Sequence, residues 1–479
     1  MQQRGSRRPG DRAGNVRVRI GRRQARETVV RRRPVSRARH PNVLLLLAGF
    51  AGLIAAGTLL LVLPLASRDG HSAGLLTALF TSTSAVCVTG LVVVDTWDHW
   101  TGFGQAVIVL LIQLGGLGFM TSSTLLLLLL RRRVSLAQRL VTAETLGALG
   151  ARNIRHFVRR IVFATLFIEA VGAAVLVALF AAHDGGLSSH NVWRGVFTAV
   201  SAFNNAGFDL EGSFHSLALF SGNAPILGAI ALLMVFGGTG FAVWMDIARH
   251  RRWQPLAVDT KIVVALSLLL WSLGAGVLLF DELQPGGALE GAQAASAAVD
   301  AGALSVFART SGFTPIDLSD VRDEMLFFLS GLMFIGGASA STAGGIKLTT
   351  FAILGFAIVA SLRGEAHVTA FERELPWRLV NRALSVALLS VGLVFGAAFV
   401  LALTSDLPFT SLFFEVVSAF ANCGLSAGVT TTLDTAGRLL IVLVMYVGRL
   451  GPLTVALALA GRDQFGGRFR YAEEQVSIG

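Results

Sequence analysis

Charged side chains are scarce in this sequence. Asp, Glu, Lys and Arg make up 14% of its 479 residues, whereas hydrophobic residues make up 53% and the mean hydropathy is +0.67. A soluble chain of this size rarely has such a composition. The shortage of charge therefore excludes most soluble classes and predicts an integral membrane protein.

Cysteine is nearly absent, and the usual enzyme motifs are missing. Cys87 and Cys423 are too few for a structural zinc site or a disulfide framework. The nine histidines show no His-Glu-x-x-His spacing, and "AGGIKLTT" over 343–350 lacks the Gly-Lys-Ser/Thr order of a phosphate-binding loop. We therefore predict that the chain is not an enzyme and binds no cofactor itself.

The net charge of +11 is confined to the N-terminal segment. Residues 1–40 contain fourteen arginines against Asp11 and Glu27, so the rest of the chain carries a net charge of −1. We interpret residues 1–41 as a disordered cytoplasmic tail that sets orientation and touches anionic lipid. A tail that binds nucleic acid is the alternative, although we expect no nucleic-acid partner.

Long and short apolar stretches alternate along the chain. Eight of them are long enough to cross a bilayer core of about 30 Å: 43–65, 105–130, 157–182, 225–246, 261–280, 323–361, 380–404 and 437–461. Four are too short to cross and are typical of re-entrant segments: 72–85, 190–203, 296–308 and 409–420. The pattern predicts an all-α membrane protein with eight transmembrane helices and four re-entrant pore helices around one pore.

The distribution of arginine predicts the orientation of these spans. Segment 131–160 carries eight arginines, and three more follow the fourth span at 249–252, so both segments are expected in the cytoplasm. Acidic residues accompany the short runs, which therefore face outward, and both termini are cytoplasmic. We predict four tandem helix–pore loop–helix repeats followed by a C-terminal cytoplasmic tail. The repeats cover 42–132, 150–252, 255–365 and 375–462, and the tail covers 463–479.

The four repeats share a register around one glycine each. Gly90, Gly207, Gly312 and Gly424 end the short runs, and three of them follow a serine by six residues. A glycine of the next long stretch follows each of them 25, 30, 24 and 24 residues later, at these positions: Gly115, Gly237, Gly336 and Gly448. Close packing of membrane helices explains glycine in general. It does not explain a glycine at the end of every short run, so we favour a true repeat.

Short helices that end at glycines around one axis can hold a dehydrated cation. Backbone carbonyls replace the hydration shell, and glycine allows the dihedral angles that aim them inward. We predict a cation filter that binds the ion through backbone atoms only, and the family resemblance described next implies potassium as the ion. It is built from four filter segments: Cys87, Val88, Thr89, Gly90; Asn204, Asn205, Ala206, Gly207; Arg309, Thr310, Ser311, Gly312; Ala421, Asn422, Cys423, Gly424.

Six motifs carry a resemblance to a known family. They are "AVCVTGL", "SAFNNAGFDL", "RTSGFTPID", "SAFANCGLS", "STAGGIK" and "GRLGPLT", and together they resemble the Trk/Ktr/HKT superfamily of potassium transporters, in particular its KtrB-type uptake subunits. The resemblance implies potassium uptake across the bacterial plasma (inner) membrane by a homodimer with one pore per chain. It also implies sodium as an activating ion and a cytoplasmic KtrA-like ring that binds a nucleotide (ATP/ADP or NAD) and gates the pore.

The sixth long stretch is too long for one span. Its 39 residues would make a helix about 58 Å long, twice what a bilayer needs. The glycines and serines of "GGASASTAGG" predict a break, and the resemblance implies an intramembrane loop that gates the pore below the filter; a packing kink is the alternative. The predicted gate consists of these residues: Gly336, Gly337, Ala338, Ser339, Ala340, Ser341, Thr342, Ala343, Gly344, Gly345 and Lys347.

Three charged residues inside apolar runs are candidates for function. Arg449 lies near the middle of 437–461, and the resemblance implies an electrostatic barrier in the pore; a structural ion pair with Glu169 is the alternative. Lys347 is either a point charge of the gate or an interfacial lysine that reaches the cytoplasm. Glu415 either supports the filter from behind or faces the outer surface.

Two other functions are compatible with the sequence. A secondary transporter of another cation or solute could work by alternating access, but such carriers are commonly built from inverted halves, whereas the register here is parallel. A membrane scaffold whose tail binds lipid or nucleic acid is the third hypothesis. It predicts that replacing the four filter glycines leaves ion movement unchanged.

Overall fold

A computed structural model describes residues 41–131, 154–282, 293–319, 321–339, 341–452 and 454. The predicted tails over 1–40 and 463–479, most of the arginine-rich segment 131–160, and Ala340 of the predicted gate lie outside these residues. The described part is almost entirely helical.

The helices and strands follow one another in this order: α1 (Pro41–Leu61), α2 (Leu75–Cys87), α3 (Thr96–His99), α4 (Gly102–Arg131), α5 (Ile154–His183), α6 (Ser189–Asn204), α7 (Ala224–Thr239), α8 (Phe241–His250), α9 (Val258–Glu282), α10 (Ala294–Thr310), α11 (Asp323–Phe334), α12 (Leu348–Leu362), β1 (Val368–Ala370), β2 (Arg373–Leu375), α13 (Trp377–Thr404), α14 (Phe409–Ala421) and α15 (Thr435–Leu450). The two strands form an antiparallel hairpin whose two turn residues, Phe371 and Glu372, both have positive φ angles, as a tight two-residue turn requires.

A helix lies at each of the eight predicted long stretches, in two cases as two pieces. Within the described residues, three segments are long and apolar enough to cross a bilayer by themselves: Arg159–His183, Val258–Asp281 and Trp377–Thr404. The bent pair α7 and α8 would be a fourth if it is counted as one span. Large apolar side chains such as Phe163, Phe399 and Leu403 are exposed on the outside of the bundle, as on a lipid-facing surface.

A short helix lies at each of the four predicted short runs, and these helices pack in a cyclic order. Each of α2, α6, α10 and α14 packs against the helix before it and against the next helix of a long stretch, which is α4 in the case of α2. Each also packs against the long helix that ends the preceding unit: α6 against α4, α10 against α7, α14 against α11, and α2 against α15. The last contact closes the circle, so the C-terminal unit lies beside the N-terminal one.

Two predicted spans are not continuous helices. The stretch 225–246 bends by 93° between α7 and α8 at Gly240, whose φ of 77° and ψ of 148° no other residue type adopts readily. The stretch 437–461 is interrupted after Leu450 by Gly451, which has a φ of 84°, and the described residues beyond it, Pro452 and Thr454, are helical again. The break predicted within 323–361 is present, between Phe334 and Leu348.

Candidate functional site

The four filter glycines meet at one place. A side chain added at Gly90 would collide with the backbone just before Gly207, and one at Gly207 would lie 2.6 Å from the Cα of Gly312. A side chain at Gly312 would lie 2.7 Å from the carbonyl carbon of Gly424, and one at Gly424 would lie 2.9 Å from the Cα of Gly90. These glycines therefore form a closed ring of backbone, the glycine ring, with no room for a Cβ atom.

Three of the short helices end with the same backbone geometry. Val88, Asn205 and Asn422 follow α2, α6 and α14 in the left-handed conformation, with φ angles of 58°, 61° and 50°. A left-handed residue that closes a helix turns the following amides back onto its last carbonyls. The third segment differs, because Ser311 after α10 is extended, with a φ of −152°.

The serine six residues before the glycine explains the shared register. The hydroxyl oxygen of Ser84 accepts a hydrogen bond from the amide of Gly90, and that of Ser418 accepts one from the amide of Gly424, both at 3.0 Å. The corresponding Ser201 is buried, and its hydroxyl has no hydrogen-bond partner among the described residues. Two of the four glycine amides are thus held from within their own short helix.

Replacing Ser84 or Ser418 by alanine is expected to lower the free energy of unfolding by about 1–2 kcal/mol, because a buried glycine amide loses its acceptor. Ser201→Ala is the matched control, since that hydroxyl has no such bond to lose. Thermal unfolding of the purified protein in KCl measures the effect. Equal midpoints for all three variants would contradict the assigned role of the serine.

The glycine in the following long helix packs on the short helix at a fixed position. A side chain at Gly115, Gly237 or Gly448 would collide with the carbonyl oxygen of the residue four places before the filter glycine, which is Val86, Phe203 or Phe420. Contact of this kind requires glycine, because the two backbones touch. The fourth predicted member, Gly336, instead packs against Gly344 of its own loop.

Side chains of the filter segments link neighbouring units below the glycine ring. The Asn422 amide nitrogen donates to the Thr89 hydroxyl at 3.0 Å, and the Asn205 amide nitrogen donates to the Thr310 hydroxyl at 2.7 Å. The Cys423 thiol lies 3.2 Å from the Ala308 carbonyl oxygen. Cys87 and Cys423 are both fully buried, which fits packing residues.

Two predicted filter residues direct their side chains away from the glycine ring. The Arg309 guanidinium donates to the Gly336 carbonyl at 3.2 Å and lies over the Trp271 ring. The Asn204 amide donates to Glu169 at 2.9 Å and to Gln113 at 3.0 Å. Both residues are the last or next-to-last of their helices, so they shape the site from outside the ring.

The intramembrane loop, residues 335–347, lies directly against the ends of the short helices. The Thr342 hydroxyl donates to the Asn205 side-chain oxygen at 2.8 Å, and Gly344 packs on Asn422 and Ala421. The two ends of the loop are tied together, since the Gly336 amide donates to the Ile346 carbonyl at 2.9 Å. This path brings the predicted gate residues beside the second and fourth filter segments.

Arg449 reaches the same loop from the other side. It is 2% exposed and donates to the carbonyl oxygens of Thr342 and, at 3.5 Å, Gly115. It lies one residue before the end of α15, next to the interruption at Gly451. The alternative ion pair with Glu169 is not formed within the described residues, where Glu169 is bonded by Gln113 and Asn204.

The structure shows which groups the side chains of Lys347 and Glu415 contact, and the sequence had left two alternatives for each of them. The Lys347 ammonium group donates to the Ala343 carbonyl within the loop. Glu415 is fully buried in α14 and accepts hydrogen bonds from Ser426, at 3.0 Å, and from Thr430, both in the segment that follows the fourth filter glycine. Glu415 therefore supports this segment from behind and does not face the outer surface.

Two contacts between the segments that follow the first and second filter glycines were not predicted from the sequence. Asp95 caps α3 and also accepts a hydrogen bond from the Phe214 amide at 2.8 Å, and Asp98 accepts one from the Ser213 amide at 2.8 Å. Both tie the segment after the first filter glycine to the segment after the second. The Asp-x-x-Asp spacing alone carries no signal for this contact, because its partners are backbone amides more than a hundred residues away.

Comparison with known sequences gives matches over most of the chain. The profile of a family described as TrkH, a cation transport protein, matches residues 50–465. The Ktr system potassium uptake protein B of Bacillus subtilis (strain 168) is 35% identical over 439 residues, covering 92% of this chain and 96% of that protein. Its counterpart in Vibrio alginolyticus is 36% identical over 455 residues, covering 94% and 97%. The potassium/sodium uptake protein NtpJ of Enterococcus hirae is 35% identical over 448 residues, covering 92% and 98%.

A solved structure has the same fold. The crystal structure of the potassium transporter TrkH from Vibrio parahaemolyticus superposes with a TM-score of 0.71 at 18% sequence identity, and the match covers 90% of this chain and 86% of that one. At this identity the likeness concerns the fold alone.

Proposed function

This chain belongs to the TrkH family of cation transport proteins, and we propose that it takes up potassium ions through a pore lined by its four filter segments. The glycine ring is the observation that carries this proposal. Four backbone segments meet there without side chains between them, and each of them follows the C-terminal, partly negative end of a short helix. Backbone carbonyls in such a ring can replace the water around a potassium ion. The names of the relatives from Bacillus and Vibrio, both potassium uptake proteins, support the same ion.

The cyclic packing of the short helices favours a pore over a carrier. Each short helix contacts the long helix of the preceding unit, and the fourth unit contacts the first. Four parallel units around an axis, with eight membrane-spanning helices and four re-entrant helices, account for this order. A carrier built from two inverted halves would place its units in pairs related by an axis in the membrane plane.

The filter is asymmetric in our proposal. Val88-Thr89-Gly90 is similar to the start of a potassium-channel filter, whereas the third segment has an extended residue where the others are left-handed. We therefore expect the filter to have fewer complete cation sites than a symmetric channel, because the carbonyl groups of the four segments point in different directions. Sodium is proposed as an activating ion, as the resemblance to KtrB-type subunits implies.

The intramembrane loop and Arg449 form the proposed gate. Both lie on one side of the glycine ring, and Arg449 places a buried positive charge where an ion leaves the filter.

We further propose a multi-pass protein of the bacterial inner membrane with cytoplasmic termini. It would act as a homodimer and be regulated by a KtrA-like, nucleotide-binding ring on the cytoplasmic side.

Growth of a potassium-uptake-deficient bacterium tests the proposal. The chain, alone and together with a KtrA-like subunit, is expected to restore growth at low potassium, with a larger effect when sodium is present. The measurement is growth rate and 86Rb+ uptake at matched amounts of membrane-inserted protein. A well-expressed chain that restores neither, with or without the partner, would favour the alternative of a carrier for another solute.

A further inference from the structure

The bend between α7 and α8 exposes backbone carbonyls in the membrane fold. In a continuous helix, the amides of residues 241 and 242 would bond the carbonyls of Gly237 and Gly238. At the bend these amides begin α8 instead, so the last carbonyls of α7 need other donors. Unpaired carbonyls are costly away from water, and the structure should therefore supply partners for them.

The intramembrane loop supplies two of these partners. The Ala338 amide donates to the Gly238 carbonyl at 3.1 Å, and the Thr342 amide donates to the Gly237 carbonyl at 3.4 Å. A side chain at Gly337 would lie 2.8 Å from the same Gly238 carbonyl, so the loop approaches this helix end as closely as backbone allows. The Phe236 carbonyl, one residue earlier, accepts from the Trp244 indole of α8 at 3.1 Å.

The same local motif is straight in the first unit. "GGLGF" over 115–119 runs through the middle of α4 without a break, whereas "GGTGF" over 237–241 contains the bend at Gly240. A continuous helix is thus a conformation that this motif adopts elsewhere in the chain. In the second unit, straightening would return the Gly237 and Gly238 carbonyls to the helix and take them from the loop.

From these contacts we propose that the α7–α8 bend is a latch for the intramembrane loop, and that straightening this helix pair releases the loop. The proposal rests on the proposed potassium function, because the loop is the gate of that pore. Gly240, Gly237 and Gly238 are then positioning residues: they hold the gate through backbone hydrogen bonds and touch no ion.

A second set of contacts holds α8 in its bent position. The Asp246 carboxylate accepts a hydrogen bond from the Ala257 amide at 2.9 Å, which ties α8 to the segment before α9, and it lies 2.9 Å from the ring nitrogen of His250 within α8.

Two independent variants test the latch in the full chain without a regulatory subunit. Gly240→Ala disfavours the positive φ angle and favours a continuous helix. Asp246→Ala cuts the tie to the segment before α9. Both are expected to raise 86Rb+ uptake into cells at least about fivefold, as a shift of a closed–open equilibrium. Gly228→Ala is the matched control, since this glycine of α7 has open space around it and lies away from the bend.

A distance measurement separates the latch from a general loosening of the fold. Spin labels at Met245→Cys and Leu268→Cys, both exposed positions, report the angle between α8 and α9, while Cys87 and Cys423 are buried. Straightening moves residue 245 by about 10 Å, so each variant should add a second distance population. Unchanged uptake in both variants would overturn the latch. So would increased uptake in both variants if the label-to-label distance keeps a single unshifted population. If the wild type, its control and both variants carry no rubidium, with or without a KtrA-like subunit, the proposed function itself fails.

Discussion

Replacing Gly90 by alanine is expected to lower potassium uptake roughly 100-fold or more at an unchanged amount of protein in the membrane. Gly90 has a φ angle of 97°, and a Cβ atom there would collide with the Ala206 carbonyl of the neighbouring filter segment. A residue forced into such a conformation costs up to about 3 kcal/mol, which corresponds to a factor of roughly 150 in an equilibrium. The backbone must therefore shift, and with it the carbonyls that face the ion.

The same change at Gly424 provides an independent copy of this test. Gly424 also has a φ angle of 97°, and its side chain would collide with the Thr89 carbonyl and approach the Cα of Gly90. Gly52→Ala in α1 is the control, because that glycine is exposed and has no neighbour within 4 Å. Uptake of 86Rb+ is measured for all three variants. Wild-type rates for both filter variants would support the scaffold hypothesis and contradict a pore at the glycine ring.

The second large effect is expected from Arg449→Ala, which should increase potassium flux. An ion that passes within about 8 Å of the guanidinium meets roughly 2 kcal/mol of repulsion at an effective dielectric constant of about 20. Removing the charge should therefore raise the rate by a factor of about 30, given tenfold per 1.4 kcal/mol. Loss of the bond to the Thr342 carbonyl acts in the same direction, because it also frees the intramembrane loop.

Arg449→Lys distinguishes the charge from the contact. Lysine keeps the positive charge but cannot reproduce the guanidinium bonds to both Thr342 and Gly115. We expect Arg449→Lys to remain slow if repulsion dominates and to approach Arg449→Ala if the contact with the loop dominates. Arg438→Ala in the same helix is the control, since Arg438 bonds the carbonyls of Leu433 and Thr431, away from the loop. A flux that falls in Arg449→Ala would rule out a barrier role.

The register of the filter segments was predictable from the sequence because it depends on local geometry. Three features lie within ten residues of each other: a residue that closes a helix in the left-handed conformation, a serine about one turn earlier, and a glycine just past the helix end. Ser84 and Ser418 bond the amides of their filter glycines, and Gly115, Gly237 and Gly448 pack on the short helices at the same position, although Gly237 has a longer offset than the other two. The third unit broke the pattern in the sequence and also departs in the structure, at Ser311.

The partners of the buried charged side chains could not be predicted in the same way. Arg309 was assigned to the filter by its position, but its guanidinium bonds Gly336 of the intramembrane loop. Glu169 was the candidate partner of Arg449, yet it binds Gln113 and Asn204. A charge inside an apolar run shows that a partner must exist. Which partner it finds depends on how helices far apart in the sequence pack, and hydropathy carries no information on that.

The sequence by itself determined the class of protein, the alternation of long and short helices, and the four glycines, because composition, length and local backbone geometry fix these. Only the tertiary structure decided which helix bends. "GGLGF" and "GGTGF" are nearly the same five residues, but the first continues α4 and the second ends α7. The difference lies in the loop of another unit, whose Ala338 and Thr342 amides bond the Gly238 and Gly237 carbonyls and so replace the bonds that a straight helix would have made.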